Sequence, residues 1–288
     1  MFFCSRVRGV RLSNGEQILC PLVISACGYH NTFGKLLSPQ VAVPARPREL
    51  SVRDSSGFIM CNIGIRGSAK ELGLRCVNTW YHPVDDPAVA QRCDLVKGAN
   101  RFFADPLSDD SEFPAMITFP SLKDRAWAQH FPEKTTCQIL VLAEYEWFDR
   151  WKQEQSGKRS ADYEQLKQKW SERCLRLLFR FFPQLRDRVE FADLSTPLTI
   201  EHYIREPRGG AIGLDVCPER FADPQVVQQL DMQTPVKGLW LTGQDTVLCG
   251  QPMVQIAGIF TALRITGLVG FLRFSAMSVR SALQWWLL

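Results

Sequence analysis

Hydrophobic positions along this chain alternate with the two-residue period of strands before they settle into the longer period of a helix. In residues 6–28, Val7, Val10 and Leu12 lead to Asn14-Gly15, and Ile18 and Leu19 follow. This predicts a strand, a two-residue turn and a returning strand, because both positions of Asn-Gly tolerate positive φ. Residues 22–25 (LVIS) form a β-branched run that ends in small residues and Gly28. That is the pattern of a buried strand whose C-terminal end admits a close neighbour, and equally of an ordinary hairpin in any β-containing domain. Residues 57–65, 76–82 and 115–121 predict further strands, and residues 85–96 a short helix. The proline-rich segment 38–57 reads as a connection, and 135–148 holds an apolar strand from Ile139 to Ala143. Over 160–183, Tyr163, Leu166, Trp170, Cys174, Leu177 and Leu178 share one helical face, with Ser160 as cap and Pro183 as stop.

A second block carries the candidate chemistry. Leu239 to Thr242 predicts a short buried strand, Gly243 lets its end lie against another group, and Asp245 projects from a loop. Pro252 is placed as a first helical residue, followed by a buried face of Met253, Ile256, Ala257 and Phe260. The uncharged run from Thr246 to Leu263 imitates a membrane span. Gly250, Gln251, Pro252 and Gln255 interrupt it, whereas a span needs about 20 predominantly apolar residues, so it reads as a core helix. A helix N-terminus offers unpaired N–H groups and roughly half a positive charge, and an adjacent carboxylate accepts hydrogen bonds from sugar hydroxyls. Together they suit a nucleotide cofactor with a ribose or polyol arm; Asp245 serves as well as a plain helix cap or turn residue. Upstream, Pro207-Arg208-Gly209-Gly210 forms a turn that brings a guanidinium and backbone N–H groups toward an anion, or a surface salt bridge. His202 and Tyr203 lie near it as groups able to move protons.

Composition narrows the classes. At 288 residues, 45% hydrophobic and 22% charged, the chain has the content of a globular protein, as one large domain or two smaller ones. The net charge of +4 is mild and interleaved with acids, as in residues 156–173, which excludes a nucleic-acid binding face. None of the ten cysteines forms a C-x-x-C pair, and several, such as Cys27, sit in apolar runs. They read as reduced, buried thiols rather than a disulfide framework or a metal site. The opening MFFCSRVRGV lacks the apolar core of a signal peptide.

The segment FPSLKDRAWAQHFPEKTTCQILVLAEYEWFDRW, the long helix after it, TPLT with Tyr203 and PRG, and LTGQD with the following CG come in order. In that order they resemble the C-terminal half of the retinol saturase family, within the FAD-dependent phytoene desaturases and carotenoid isomerases. The likeness is densest over 118–151 and 195–250. It implies an α/β fold with α+β character: a Rossmann-type FAD-binding domain built from residues 1–36 and 195–267. Residues 37–194 would be an inserted substrate domain of antiparallel sheet plus helices, and 268–288 an apolar tail. By the same resemblance, Cys27 and Gly28 approach the cofactor, and Gly243 and Asp245 hold the flavin's ribityl arm. The helix beginning at Gly250, Pro252 and Met253 points at the ring, and Tyr203, Arg208 and Ile212 are candidates for the substrate pocket. Met253 stands where the family has glycine and Ile212 where it has an aromatic residue, which leaves the substrate open. The implied activity is reduction of a double bond in a polyene lipid, with NAD(P)H as a candidate electron source. The rivals are isomerisation or desaturation on the same flavin, or a non-catalytic membrane-associated fragment. The resemblance also implies an intracellular, membrane-associated location, at the endoplasmic reticulum or a plastid.

The sequence carries no G-x-G-x-x-G turn to cradle the FAD pyrophosphate. The expectation is therefore a C-terminal portion of a longer protein that does not hold FAD tightly alone. In the tail, Arg273 and Arg280 lie seven residues apart among Phe271, Phe274, Trp285 and Trp286. This reads either as a helix in a membrane interface or as a final helix packed on the protein.

Overall fold

Ile59, Cys61, Ile63 and Ile65 alternate along one strand, and each is at most 1% exposed. They form the centre of the larger of two cores in a computed structural model that describes residues 5–46, 49–83, 102, 104–106, 112–286. In chain order the elements are β1 (Gly9–Arg11), β2 (Gln17–Leu19), β3 (Val23–Ser25), α1 (Tyr29–Asn31, continued by a wider turn to Leu36) and α2 (Pro39–Ala45). Then come β4 (Gly57–Arg66), β5 (Thr79–Tyr81), β6 (Ala115–Thr118), α3 (Trp127–His130), β7 (Lys134–Ala143), α4 (Ala161–Phe181) and β8 (Val189–Ser195). The last are α5 (Pro197–Ile204), α6 (Pro218–Ala222), α7 (Pro224–Gln229), β9 (Leu239–Leu241) and α8 (Gln251–Trp286).

The chain divides into two compact units, Met1–Ser55 with Ile212–Leu288, and Ser56–Ala211. The sequence reading put its boundaries after residues 36 and 194. The crossings lie later because Ala45, Leu50 and Val52 belong to the core of the first unit, while Leu198 belongs to that of the second.

The second unit is mixed α/β, built on an antiparallel five-stranded sheet of order β5-β6-β7-β4-β8. β4 and β7 pair over their full length, from Gly57 with Ala143 to Arg66 with Lys134. Cys137, Ile139, Val141 and Ala143 of β7 face the same core as the β4 residues, so a one-residue slip of either strand would turn its own apolar row outward. α4 covers this face with Tyr163, Trp170, Cys174, Leu177 and Leu178, the positions its spacing predicts. Burial of Leu178, fully enclosed, stabilises by roughly 1.5–3 kcal/mol. Ser160 stands at the N-cap, but its hydroxyl donates to Glu154 instead of capping the helix.

In the first unit, β1 and β2 form a hairpin with Arg11 opposite Gln17. The Leu12 N–H donates to the Glu16 carbonyl, so the turn is a three-residue loop and not the predicted two-residue one. β3 and β9 run parallel as a separate pair, Val23 beside Leu239 and Ser25 beside Leu241. β3 is not buried throughout as expected: Ser25 is enclosed, while Ile24 is 47% exposed. The segment read as a connection contains α2, because its proline stands at the N1 position, where the missing N–H costs nothing. The helix expected over 85–96 lies outside the described residues.

α8 begins at Gln251, with Pro252 its second residue. Its expected buried face reduces to Ala257 and Thr261; Phe260 is 49% exposed, and Met253 and Ile256 are half-buried. Gly267, at φ 61° and ψ −149°, kinks it in a conformation open essentially to glycine. The stretch Gln251–Ser278 is long and apolar enough to cross a membrane by length and composition, and most of it is exposed. That stretch starts later than the run from Thr246, whose first five residues lie outside the helix.

Candidate functional site at the ends of two parallel strands

The ladder between β3 and β9 extends one step past the strands, where the Thr242 N–H donates to the Ser25 carbonyl. Both chains then turn at glycines, Gly28 at φ 82° and Gly243 at φ 100°. The carboxyl ends of adjacent parallel strands are where α/β proteins form ligand crevices. Ser25 and Thr32 share a buried hydroxyl–hydroxyl hydrogen bond of 2.7 Å just inside this rim.

Asp245 ties these strand ends to two further segments. It is 5% exposed, and its Oδ2 accepts the Tyr29 N–H at 2.7 Å while its Oδ1 accepts the Leu214 N–H at 3.0 Å. The first of these N–H groups opens α1 and lacks an intrahelical acceptor. Asp245 therefore caps a helix far away in sequence rather than the one that follows it. Gly213, at φ 71°, makes room for this arrangement: a Cβ there would strike Asp245 Oδ1. Nearby, the Arg220 guanidinium is 2% exposed and donates to the carbonyls of Leu214 at 2.7 Å and Gln244 at 2.5 Å. Burial pulls its pKa down, and the Asp245 charge opposes that. Sequence reading missed Arg220, since a lone arginine two residues after a proline carries no pattern.

The predicted site residues separate into groups. Gly28, Gly243 and Asp245 meet at the strand ends, and Ile212 joins the same unit through its N–H to Ser55 Oγ at 3.2 Å. Pro252 and Met253 lie in the first turn of α8 and Gly250 just precedes it; Gly250 and Pro252 are exposed. Cys27, read as a buried thiol, is exposed, because β3 ends at Ser25 and leaves it in the turn. Cys61, Cys137 and Cys174 are buried, and burial raises the Cys137 thiol pKa.

Arg208 and Tyr203 belong to the second unit. Arg208 does not offer its guanidinium to an anion: it pairs with Glu146 and lies 5.1 Å from the centre of the Tyr145 ring. The Gly209 and Gly210 N–H groups donate to the Glu206 and Pro207 carbonyls. Tyr145 donates its hydroxyl to Glu201 at 2.5 Å, and burial followed by that carboxylate raises its pKa. Arg205 and Arg208 both hold positive φ, 64° and 54°, a costly backbone for arginine; at Arg208 the N–H donates to Glu201 and the guanidinium pairs with Glu146. Tyr203 is 75% exposed.

No protein-family profile matches the chain. Among curated proteins, 247 residues are 34% identical to the all-trans-retinol 13,14-reductase of Danio rerio, covering 84% of this chain and 40% of that protein. The human protein of the same name is 33% identical over 249 residues, 84% of this chain and 39% of its own. Over the matched stretch the chain belongs to the retinol saturase family. It spans about 40% of the length of these relatives. A Danio rerio relative named inactive all-trans-retinol 13,14-reductase is 25% identical over 256 residues, 84% of this chain and 39% of that protein. The chain is thus nearer the reductases than this inactive relative. Within retinol saturase sequence, the structure gives the late Gly-x-Asp segment a concrete role, the pinning of two buried amides.

Proposed function

We propose that the chain is part of a flavin-dependent oxidoreductase that reduces a double bond of a conjugated polyene lipid such as all-trans-retinol. The reading is carried by homology to retinol 13,14-reductases over 84% of the chain, together with a parallel strand pair ending in Gly28, Gly243 and Asp245. The α/β first unit is then the C-terminal share of a Rossmann-type FAD domain, and the second unit the substrate domain.

The residues fit a flavin with a ribityl arm. A Cβ at Gly243 would meet nothing nearer than the Ala26 carbonyl at 4.0 Å, so the backbone there stands open. Thr242 Oγ1 is buried with no hydrogen-bond partner among the described residues. Asp245 accepts two amides and keeps about two of its roughly four lone-pair sites. In this reading Asp245 and Thr242 take the ribityl hydroxyls, Gly28 and Gly243 let the backbone approach, and α8 brings its start at Gly250, Pro252 and Met253 toward the ring. Bound FAD supplies hydride chemistry, with NAD(P)H as the electron source. The chain's own residues orient the cofactor, hold the Tyr29 and Leu214 backbone rigid and exclude water.

Lipid access is assigned to α8 after its kink. Leu268, Val269, Leu272 and Met277 are 59–72% exposed, and Arg273 lies among them. Such a segment suits peripheral membrane association through 268–288.

Flavin absorbance tests the reading. The chain joined to the part of the Danio rerio relative that the match leaves uncovered should purify with about one flavin per chain, and its D245A form with far less. The 288-residue chain alone should retain little. A fused protein free of flavin, or a D245A form that keeps it fully, would count against the proposal.

A further inference from the structure

The kink at Gly267 divides α8 into a half held by the protein and a half that is not. Before the kink, Thr261 is 1% exposed and its hydroxyl donates to the Leu241 carbonyl at 3.2 Å, which ties the helix to β9. Arg264 pairs with Asp231 at 2.7 Å. Beyond the kink, no described side chain is buried.

Charge is distributed just as unevenly. From Thr246 to Leu288 the chain has no Asp, Glu, Lys or His, and its three arginines are Arg264, Arg273 and Arg280. Asp231 neutralises the first. Arg273 and Arg280 are exposed and have no acidic partner among the described residues. Seven residues apart, they stand only about 20° apart around the helix axis and form one basic strip. Leu268, Phe271 and Leu272, spaced by three and four, share another face, with Phe271 nearly opposite the strip. A basic strip facing away from an apolar one fits a helix lying in a membrane interface, its arginine heads among the headgroups and their stems along apolar surface.

The two arginines decide between occupants. Residues 268–286 extend about 28 Å at 1.5 Å per residue, close to the roughly 30 Å of a bilayer's apolar layer. Crossing that layer would carry both unpaired charges into hydrocarbon, a strongly unfavourable place for arginine. A second copy on the apolar face would leave the same two charges without a counter-charge, because this half of α8 has no acid to offer. A negatively charged lipid surface covers the apolar face and answers both arginines at once.

We propose that α8 beyond Gly267 lies in the plane of a bilayer and that Arg273 and Arg280 bind anionic phospholipid headgroups there. The inference rests on the membrane reading of 268–288 and adds to it the lipid class and the orientation of the helix.

The test is flotation of the 288-residue chain with vesicles of phosphatidylcholine alone and of phosphatidylcholine mixed with phosphatidylserine. Each arginine near an anionic surface gains roughly five- to sixfold, so the mixed vesicles should bind roughly 30-fold more tightly, and high salt should erase the difference. R273Q/R280Q alters exposed side chains, should keep the wild-type unfolding midpoint and should bind both vesicles alike, while R273K/R280K should keep the preference. An alkaline carbonate wash should release the bound chain, as it does not for a spanning helix. Equal binding of the wild-type chain to both vesicles, an undiminished preference in R273Q/R280Q, or retention through the wash overturns this inference and leaves the membrane reading standing. Binding to neither vesicle overturns both.

Discussion

Replacing Asp245 tests the contact that joins the Tyr29 and Leu214 backbones. Alanine removes both acceptors from the Tyr29 and Leu214 N–H groups, in residues that are 1% and 0% exposed. Each buried N–H left without a partner costs about 1–3 kcal/mol. Relief from burying the carboxylate offsets part of the sum, so D245A should lose about 2–4 kcal/mol. Asparagine keeps one carbonyl oxygen and loses the second acceptor, so D245N should fall between wild type and alanine. Hydrogen exchange read by mass spectrometry on peptides containing residues 29 and 214 reports the two amides directly, with urea unfolding as the global measure. A loss of about 2 kcal/mol corresponds to a protection drop of roughly 30-fold at both positions. Unchanged protection in D245A, or a greater loss in D245N than in D245A, would refute the assignment of Asp245 as the joint clamp.

Gly213→Ala forces a Cβ into the Asp245 carboxylate at φ 71° and should destabilise by at least about 1 kcal/mol in urea unfolding. Leu178→Ala empties a fully enclosed position under α4 and should cost about 2–5 kcal/mol, read by the same method. Tyr81 has its pKa pushed up to about 12 from 10.0, first by burial and then by Glu112, with Arg180 opposing. Its contribution to stability is complete below pH 10 and is lost between pH 10 and about 12, where the unfolded chain gives up the proton first. Phenolate absorbance should show this late titration, and E112Q should bring it back toward 10.0. Removing residues 268–288 should abolish flotation with liposomes; equal flotation would end the membrane role of α8.

The parts of the fold that were legible in sequence are those set by local repetition. Six apolar residues on one face marked α4, and the uninterrupted apolar run from Ile139 to Ala143 marked β7, because each packs against a single continuous core. α2 escaped notice because its two prolines imitate a loop, although one sits at the tolerated first turn. The burial of α8 was overread: its apolar residues surround the helix, and composition does not say whether protein or another apolar phase covers them. At the site, Gly28, Gly243 and Asp245 stood out through residue type and spacing. Their partners did not, since Asp245 meets Tyr29 across 216 positions and Arg208 meets Glu146 across 62. Such pairings exist only once strand order brings the ends together.

The proposed reduction of a polyene on a flavin can be read from its product. The most direct measurement is the mass of all-trans-retinol recovered after incubation with the fused protein and reducing equivalents. A product heavier by two hydrogens, formed by the fused protein and lost in its D245A form, is the predicted result. Retinoid of unchanged mass from a flavin-loaded protein, whether isomerised or untouched, would contradict it.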